Sequence, residues 1–151
     1  MNEPQESDRL SIFLVEDNPG DVALFRQILR NCPGEYTLII AGNGIEAIAR
    51  LKNTSAGKPH IVFLDLNLPG KSGVEILTEM KADPLLSRMP VAVLTASEDI
   101  DDRRVCKALG VDAYFNKAEV LQDFFTLAAN IQNLLSTVRE AASSSAAVSA
   151  A

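Results

Sequence analysis

The sequence predicts an α/β protein with a doubly wound sheet of five parallel strands and five helices. Short continuous apolar runs recur along the chain, and runs without polar alternation are typical of strands covered on both faces. Longer amphipathic segments with helix-capping residues separate these runs. Strands that alternate with helices predict a parallel sheet with right-handed crossovers. A length of 151 residues suits a single domain of this kind.

The apolar runs supply the five strand candidates. The strongest consist of apolar residues throughout, and the weaker two contain polar ones. The strong candidates are Ile12–Val15, Ile61–Leu64 and Val91–Leu94, and the weaker ones are Tyr36–Ala41 and Val111–Phe115.

Capping residues and helical spacing mark the five helices. Asn18 and Pro19 predict the first helix start, because a capping side chain and then proline suit the first turn. Asn43 is a second cap, Pro84 ends the third helix after Asp83, and Gly110 stops the fourth. The apolar positions, helix by helix, are Val22, Phe25, Ile28 and Leu29; Ile45, Ile48 and Leu51; Val74, Leu77 and Met80; Ile100, Val105 and Leu109; and Leu121, Phe124, Leu127, Ala128, Ile131 and Leu135.

The two ends of the chain differ from its middle. Residues 1–10 are polar and predict a flexible leader, and residues 11–138 form the predicted folded domain. Residues 139–151 are rich in Ala and Ser with few bulky side chains to anchor them, which predicts disorder or a frayed helix.

Composition excludes several classes of function. Asp and Glu total 20 against 14 Lys and Arg, and this balance disfavours nonspecific binding to nucleic acid or to anionic membranes. No apolar run reaches membrane-spanning length, and the start of the chain lacks the pattern of a signal peptide. Cys32 and Cys106 form no Cys-x-x-Cys pair, so a reduced, cytoplasmic location is the expectation.

The residues at the strand ends predict the functional site, because doubly wound sheets bind ligands beyond the carboxyl ends of their strands. Glu16 and Asp17 follow the first strand, and Asp65 follows the third. Thr95 ends the fourth strand, and Lys117 follows the fifth. Clustered carboxylates repel one another unless one takes up a proton or a divalent cation binds. An all-oxygen site suits Mg²⁺ or Mn²⁺, and an aspartate there can attack a phosphoryl donor.

These strand ends and their flanks resemble the receiver domain of two-component response regulators over about residues 10–138. Several segments carry the resemblance, in order and at receiver spacing. They are Leu14–Asn18, Asn43–Ala47, Asp65–Gly70, Pro90–Ala96 and Gly110–Tyr114. The stretch Glu16–Asp21 is similar more narrowly to the small stand-alone regulators that partner bacterial phytochromes.

The resemblance implies a flavodoxin-like sheet with strand order 2-1-3-4-5 and a phosphorylation switch without enzymatic turnover. A sensor histidine kinase would phosphorylate Asp65 with Mg²⁺ or Mn²⁺ present, and the narrower likeness implies a bacterial phytochrome as that kinase. Output would pass by protein contact or onward phosphotransfer. A homodimer through the fourth helix, fifth strand and fifth helix is also expected, from the apolar surplus between Leu121 and Leu135.

The resemblance also implies a metal site. Asp65 would be both phosphoacceptor and metal ligand. Asp17 would bind the metal directly, Glu16 mainly through a metal-bound water, and Asn67 through its backbone carbonyl.

The same resemblance implies the phosphoryl-binding and switch residues. Thr95 and Lys117 would bind phosphoryl oxygens, and Tyr114 would turn inward when Thr95 moves to the phosphate. Ala118 departs from the family pattern, which has proline after this lysine. A cis bond before a non-proline residue costs about 3–4 kcal/mol, so a trans or strained loop is predicted here.

Two other functions are alternatives to the switch. A phosphatase that turns over an aspartyl phosphate needs a second acid two residues after its nucleophile, where this chain has Asn67. A receiver-like interaction module without phosphorylation is favoured only by Ala118. The charges from Asp99 to Arg104 predict a solvated helix face, with a partner contact as the alternative.

Overall fold

The apolar runs of the sequence form the middle of a five-stranded parallel sheet. A computed structural model describes residues 9–53, 55 and 57–150. Its strand order is β2-β1-β3-β4-β5, so the predicted fold class and order are confirmed. The strands are β1 (Leu10–Val15), β2 (Tyr36–Ala41), β3 (Ile61–Leu64), β4 (Val91–Thr95) and β5 (Ala113–Asn116). The helices are α1 (Pro19–Arg30), α2 (Gly44–Lys52), α3 (Gly73–Ala82), α4 (Ile100–Ala108) and α5 (Glu119–Ala150).

Strand β3 explains why the central runs lack polar alternation. All four of its residues have 0% exposure. Val62 and Leu64 belong to the apolar cluster that also holds residues of α2 and α3. Ile61 and Phe63 belong to the cluster that holds residues of α1 and α5, and the ring centroids of Phe63 and Phe25 lie 4.8 Å apart. Both faces of the strand are therefore covered by helices.

Strand β5 starts later than the sequence predicts. Val111 and Asp112 precede it, and the strand runs on to Asn116. The Asp112 amide donates to the Val91 carbonyl at 2.8 Å, and the Asp112 carboxylate accepts from the Val91 amide at 2.8 Å. This pair of bonds fixes the entry of β5 beside β4.

Three of the apolar positions that mark the predicted helices are exposed, although Ile48 and Leu51 in α2 are buried. In α2, Ile45 is 73% exposed while Ala47 and Leu51 are buried. In α4, Ile100 is 73% and Val105 40% exposed, and the buried side chain is that of Cys106.

Helix α5 contributes a regular apolar stripe after an irregular start. Asp123 has extended backbone (φ −158°, ψ 91°), and its carboxylate accepts from the Thr126 amide at 3.2 Å, in the manner of an N-cap. Leu127, Ile131 and Leu135 then lie at 0% exposure. The apolar surplus predicted on this helix is therefore mostly core.

The chain ends are only partly covered by the structure. Residues 1–8, Ala151 and the side chain of Leu121 lie outside the described residues, and β1 already begins at Leu10. Helix α5 continues to Ala150. The domain boundary at residue 138 stays a prediction. No helix in the described ranges is both long and apolar enough to cross a membrane.

Gly73, the first residue of α3, lets this helix start directly against the backbone that follows β3. Its amide donates to the Leu66 carbonyl at 3.0 Å. A Cβ added to Gly73 would lie 2.5 Å from the Asp65 carbonyl oxygen and 2.5 Å from the Leu66 Cα. Only glycine fits this approach, which holds the segment after Asp65 in position.

Replacing Gly73 by alanine tests this close approach. Gly73→Ala is expected to lower the free energy of unfolding by about 2 kcal/mol or more, because the clashing atoms belong to backbone and cannot rotate away. Urea unfolding followed by circular dichroism measures it. Gly42→Ala is the control, since nothing lies within 4 Å of its added Cβ, and a change of less than about 1 kcal/mol is expected there. Equal stability of the two variants would contradict the proposed packing.

Candidate functional site

An acidic cavity of about 410 Å³ opens at the carboxyl ends of the strands. Backbone hydrogen bonds continue the ladder of the sheet beyond the strand ends and hold residues that line this cavity. The Asp65 amide donates to the Val15 carbonyl at 3.1 Å, and the Lys117 amide donates to the Thr95 carbonyl at 2.8 Å. The lining residues are Glu16, Asp17, Asn18, Pro19, Asp21, Asp65, Asn67, Ala96 and Lys117.

The Lys117 ammonium joins three carboxylates that lie at least 52 residues before it in the sequence. Its Nζ lies 2.7 Å from Glu16 Oε2, 2.8 Å from Asp21 Oδ2 and 3.2 Å from Asp65 Oδ2. The side chains of Lys117, Glu16 and Asp65 are 9%, 3% and 7% exposed. Because these groups are nearly out of water, their interactions are screened far less than those of surface ion pairs.

The pKa values follow from this enclosure. Burial raises the pKa of the Glu16 carboxyl to about 7, against the lowering effect of hydrogen bonds from Lys117 and from the Asn18 amide. Burial alone would lower the pKa of Lys117, but hydrogen bonds to Asp21 and Glu16, with the charge of Asp65, raise it above its usual range. The lysine is therefore charged at neutral pH, and three acids share one cation.

The donor set of this cluster fits a hard cation. Glu16, Asp21 and Asp65 each offer one oxygen, and these oxygens all lie within 4.8 Å of one another. Mg²⁺ and Mn²⁺ prefer such all-oxygen sites. One lysine offsets only part of the negative charge, so a divalent cation would be attracted here.

The structure brings together some predicted acids and adds one. Glu16 and Asp65 lie in the tight cluster, as expected. Asp17 lines the same cavity but is exposed and outside that cluster. Asp21 takes the third place, which the sequence analysis missed. The sequence does contain an indication of this role. Asp21 lies three residues after the cap residue Asn18, and side chains in a helix lean back toward the N-terminus of that helix.

Asn67 and Ala96 also line the cavity. The Asn67 amide donates to Asp65 Oδ1 at 3.1 Å, so it orients the predicted phosphoacceptor. Ala96 has a small side chain, which leaves the cavity open on the β4 side.

Thr95 lies at the predicted strand end but is not among the lining residues. It has 0% exposure, and its hydroxyl oxygen accepts from the Ser97 amide at 3.2 Å. Tyr114 is half-buried, with the Arg103 guanidinium 5.3 Å from its ring centroid. Among the described side chains, the Tyr114 hydroxyl is buried without a hydrogen-bond partner.

The Lys117–Ala118 bond is trans, as are the other peptide bonds of the described residues. The Ala118 amide donates to the Asn116 side-chain oxygen at 2.8 Å, and this bond closes the turn. The loop therefore delivers Lys117 to Asp65 without the proline that was expected at position 118.

The chain is similar to one family of proteins over most of its length. The sequence profile described as the response regulator receiver domain matches residues 12–129. Response regulator Rcp1 of Synechocystis sp. is 38% identical over 126 residues, which cover 81% of this chain and 86% of that protein. The crystal structure of the Mn²⁺-bound form of response regulator Rcp1 has a TM-score of 0.74 at 37% identity, covering 82% of this chain and 91% of that one. The phosphorylated cyanobacterial phytochrome response regulator RcpA has a TM-score of 0.77 at 38% identity, covering 85% and 96%.

Removing the charge of Lys117 tests the electrostatics of the cluster. In EDTA at pH 8, Lys117→Met is expected to lower the free energy of unfolding by about 3 kcal/mol, because nearly buried carboxylates lose their cation. Millimolar Mg²⁺ should restore about 1 kcal/mol or more to this variant. Urea unfolding with and without Mg²⁺ measures both values.

Lys71→Met is the matched control for Lys117→Met. Lys71 also pairs with a carboxylate, that of Glu79, but the two side chains are 30% and 34% exposed. Its loss should cost less than about 1 kcal/mol. A Lys117 variant as stable as this control, with no added response to Mg²⁺, would refute the cluster as described.

Proposed function

Because this chain belongs to the response regulator receiver domain family, we propose that it is a phosphorylation switch whose phosphoacceptor is Asp65. The observation that carries the proposal is the Asp65 carboxylate in the acidic cavity, 3.2 Å from the Lys117 ammonium. A carboxylate of this kind attacks phosphorus, while nearby positive charge stabilises the oxygens of the transferred group.

The chemical step needs little from the protein beyond positioning. A carboxylate oxygen of Asp65 forms a bond to phosphorus, and the bond between phosphorus and the donor breaks, so that the donor leaves with that electron pair. The Asn67 amide keeps the carboxylate oriented through its bond to Asp65 Oδ1. Lys117 supplies a positive charge for a phosphoryl oxygen. Thr95 would supply a hydroxyl once it leaves the Ser97 amide.

We propose that Glu16, Asp17 and Asp65 hold the divalent cation together with the Asn67 carbonyl. All four residues line one cavity, and a relative of this chain has been solved in a Mn²⁺-bound form. When bound, Mg²⁺ or Mn²⁺ would neutralise charge on the phosphoryl oxygens. Asp21 would stay with Lys117, to which it is bonded at 2.8 Å.

The switch is proposed to act by changing shape rather than by turnover. Asn67 stands where a phosphatase of this chemistry needs its second acid, so sustained hydrolysis lacks a proton donor there. Tyr114 is proposed to move with Thr95, because its buried hydroxyl has no hydrogen-bond partner among the described residues to give up. The alternative of a non-phosphorylated interaction module depends on Ala118, yet Lys117 still contacts Asp65.

The partner of this switch is proposed to be a sensor histidine kinase of the bacterial phytochrome class, in the cytoplasm. Support for a phytochrome comes from the 38% identity with a protein described as a phytochrome response regulator. Unpaired Cys32 and Cys106 agree with a reducing compartment. We also propose that the output passes by protein contact or by onward phosphotransfer. A homodimer through α4, β5 and α5 is part of the proposal, and the exposed apolar side chains of Ile100 and Phe125 support a contact surface there.

Phosphorylation by a small donor tests the proposal directly. Acetyl phosphate with Mg²⁺ should give a hydroxylamine-sensitive adduct with the mass of one phosphoryl group, because an acyl phosphate forms on Asp65. Intact mass spectrometry measures it. Asp65→Asn should give no adduct, and Asp83→Asn, an aspartate outside the cavity, should behave as wild type. Absence of the adduct in the wild-type protein, or its presence in Asp65→Asn, would refute the function.

Metal titration tests the proposed ligands. Asp17→Asn should weaken Mn²⁺ binding by about tenfold or more, since a charged oxygen ligand is lost. Asp21→Asn should weaken it by about threefold or less, because Lys117 already offsets that carboxylate. Isothermal titration calorimetry measures both, with the 83% exposed Asp101 replaced by Asn as the control. A larger loss for Asp21→Asn than for Asp17→Asn would make Asp21 the third ligand.

A further inference from the structure

Asp21 is the most exposed of the three acids that contact the Lys117 ammonium. Its side chain is 36% exposed, whereas those of Glu16 and Asp65 are 3% and 7% exposed. Asp21 Oδ2 accepts from the ammonium at 2.8 Å, a shorter distance than the 3.2 Å from the same nitrogen to Asp65 Oδ2. Across the described residues, Lys117 is the hydrogen-bond partner of the Asp21 carboxylate. Asp21 therefore lies at the rim of the cavity and directs its carboxylate to one lysine.

The local fold does not depend on this contact. Helix α1 is capped by Asn18, whose side-chain oxygen accepts from two amides of the first turn. Phe25 and Ile28 then anchor the helix with buried side chains. An acid in the first turn also suits the dipole of a helix, but that effect is small where water screens it. The stability of α1 therefore does not explain the bond between Asp21 and Lys117.

The contact matters more once the site is occupied. An ammonium has three hydrogens, and Glu16, Asp21 and Asp65 are the three acceptors around Lys117. The cation proposed above would engage Glu16 and Asp65, and a phosphoryl group on Asp65 would add oxygens that attract the ammonium. Asp21 lies outside the proposed cation ligands and keeps its bond to Lys117. The lysine is then shared between Asp21 and the phosphoryl oxygens.

The contact with Lys117 outweighs direct repulsion between Asp21 and a phosphoryl group. Interactions between charges weaken with distance, and the Asp21 oxygen lies 2.8 Å from the lysine nitrogen but up to 4.8 Å from an Asp65 oxygen. Water at the exposed side of Asp21 also screens the longer interaction more than the direct contact. The main effect of Asp21 is therefore on the acceptors that the Lys117 hydrogens meet.

We propose that Asp21 is a positioning residue that competes for the Lys117 ammonium and thereby weakens the binding of a phosphoryl group at Asp65. This inference rests on the proposed function at Asp65. Because Asp21 retains part of the hydrogen bonding and charge of Lys117, the phosphoryl oxygens receive less than the whole ammonium would supply. The occupied site is therefore less stable than one in which Lys117 faces the phosphoryl group alone.

The inference predicts that removal of the Asp21 charge tightens binding at the site. At saturating Mg²⁺, Asp21→Asn should bind beryllium fluoride, a stable mimic of a phosphoryl group, about three- to tenfold more tightly, because the neutral amide competes less well for Lys117. Isothermal titration calorimetry measures this affinity. Saturating Mg²⁺ keeps any effect of the variant on cation binding out of the measurement. An ion pair that only supports the fold predicts the opposite, a loss of affinity.

Matched variants separate competition for the lysine from other effects of the charge. Asp21→Glu keeps a carboxylate and should lose most of the gain. In a Lys117→Met background, the change of Asp21 to Asn should alter the affinity by about twofold or less, because the contested ammonium is absent. Glu79→Gln is the control and should bind like the wild type, since Glu79 also pairs with a lysine, Lys71, at 34% exposure but lies outside the cavity.

The outcomes distinguish this inference from the function on which it rests. Unchanged or weaker binding in Asp21→Asn would overturn the inference, as would an equal gain in Asp21→Glu, in Glu79→Gln or in the Lys117→Met background. In each of these cases, binding by the wild-type protein preserves the proposed switch. If the wild-type protein does not bind beryllium fluoride with Mg²⁺, or Asp65→Asn binds it equally, both proposals fall.

Discussion

The three-way contact of the Lys117 ammonium holds the functional end of the sheet together. Its nitrogen lies within 3.2 Å of carboxylates that follow β1 and β3 and of one in α1, so one side chain from the loop after β5 ties together parts that are far apart in sequence. The charge balance is incomplete, because one cation faces Glu16, Asp21 and Asp65. The same feature that concentrates the acids therefore leaves them able to attract a divalent ion.

Much of this site follows from the sheet and was predictable from the sequence. Continuous apolar runs predicted strands covered on both faces, and parallel strands bring their carboxyl ends to one edge. The backbone bonds of Asp65 to Val15 and of Lys117 to Thr95 extend that ladder beyond the strands. For Glu16 and Asp65, strand position alone therefore decides where the side chain points.

The parts that could not be predicted depend on the direction of individual side chains and on which face of a helix is buried. Asp21 reaches the cluster because its helical side chain leans toward Lys117, and no strand pattern carries that information. Thr95 is at the right strand end, but its hydroxyl is bonded to the Ser97 amide instead of lining the cavity. Ile45 is spaced to share a helix face with Ile48, yet Ile48 is buried and Ile45 is 73% exposed.

The acidic cluster is costly to fold, and it lies directly after a strand that is completely buried. Burying one large apolar side chain contributes about 1.5–3 kcal/mol, and every residue of β3 directly before Asp65 has 0% exposure. Gly73 then packs α3 against the backbone after Asp65. This packing offsets the repulsion among the carboxylates and keeps their geometry fixed. Neutralising one of the acids would relieve repulsion and stabilise the fold. The same change would weaken the proposed cation site, so stability and the proposed switching would oppose each other here.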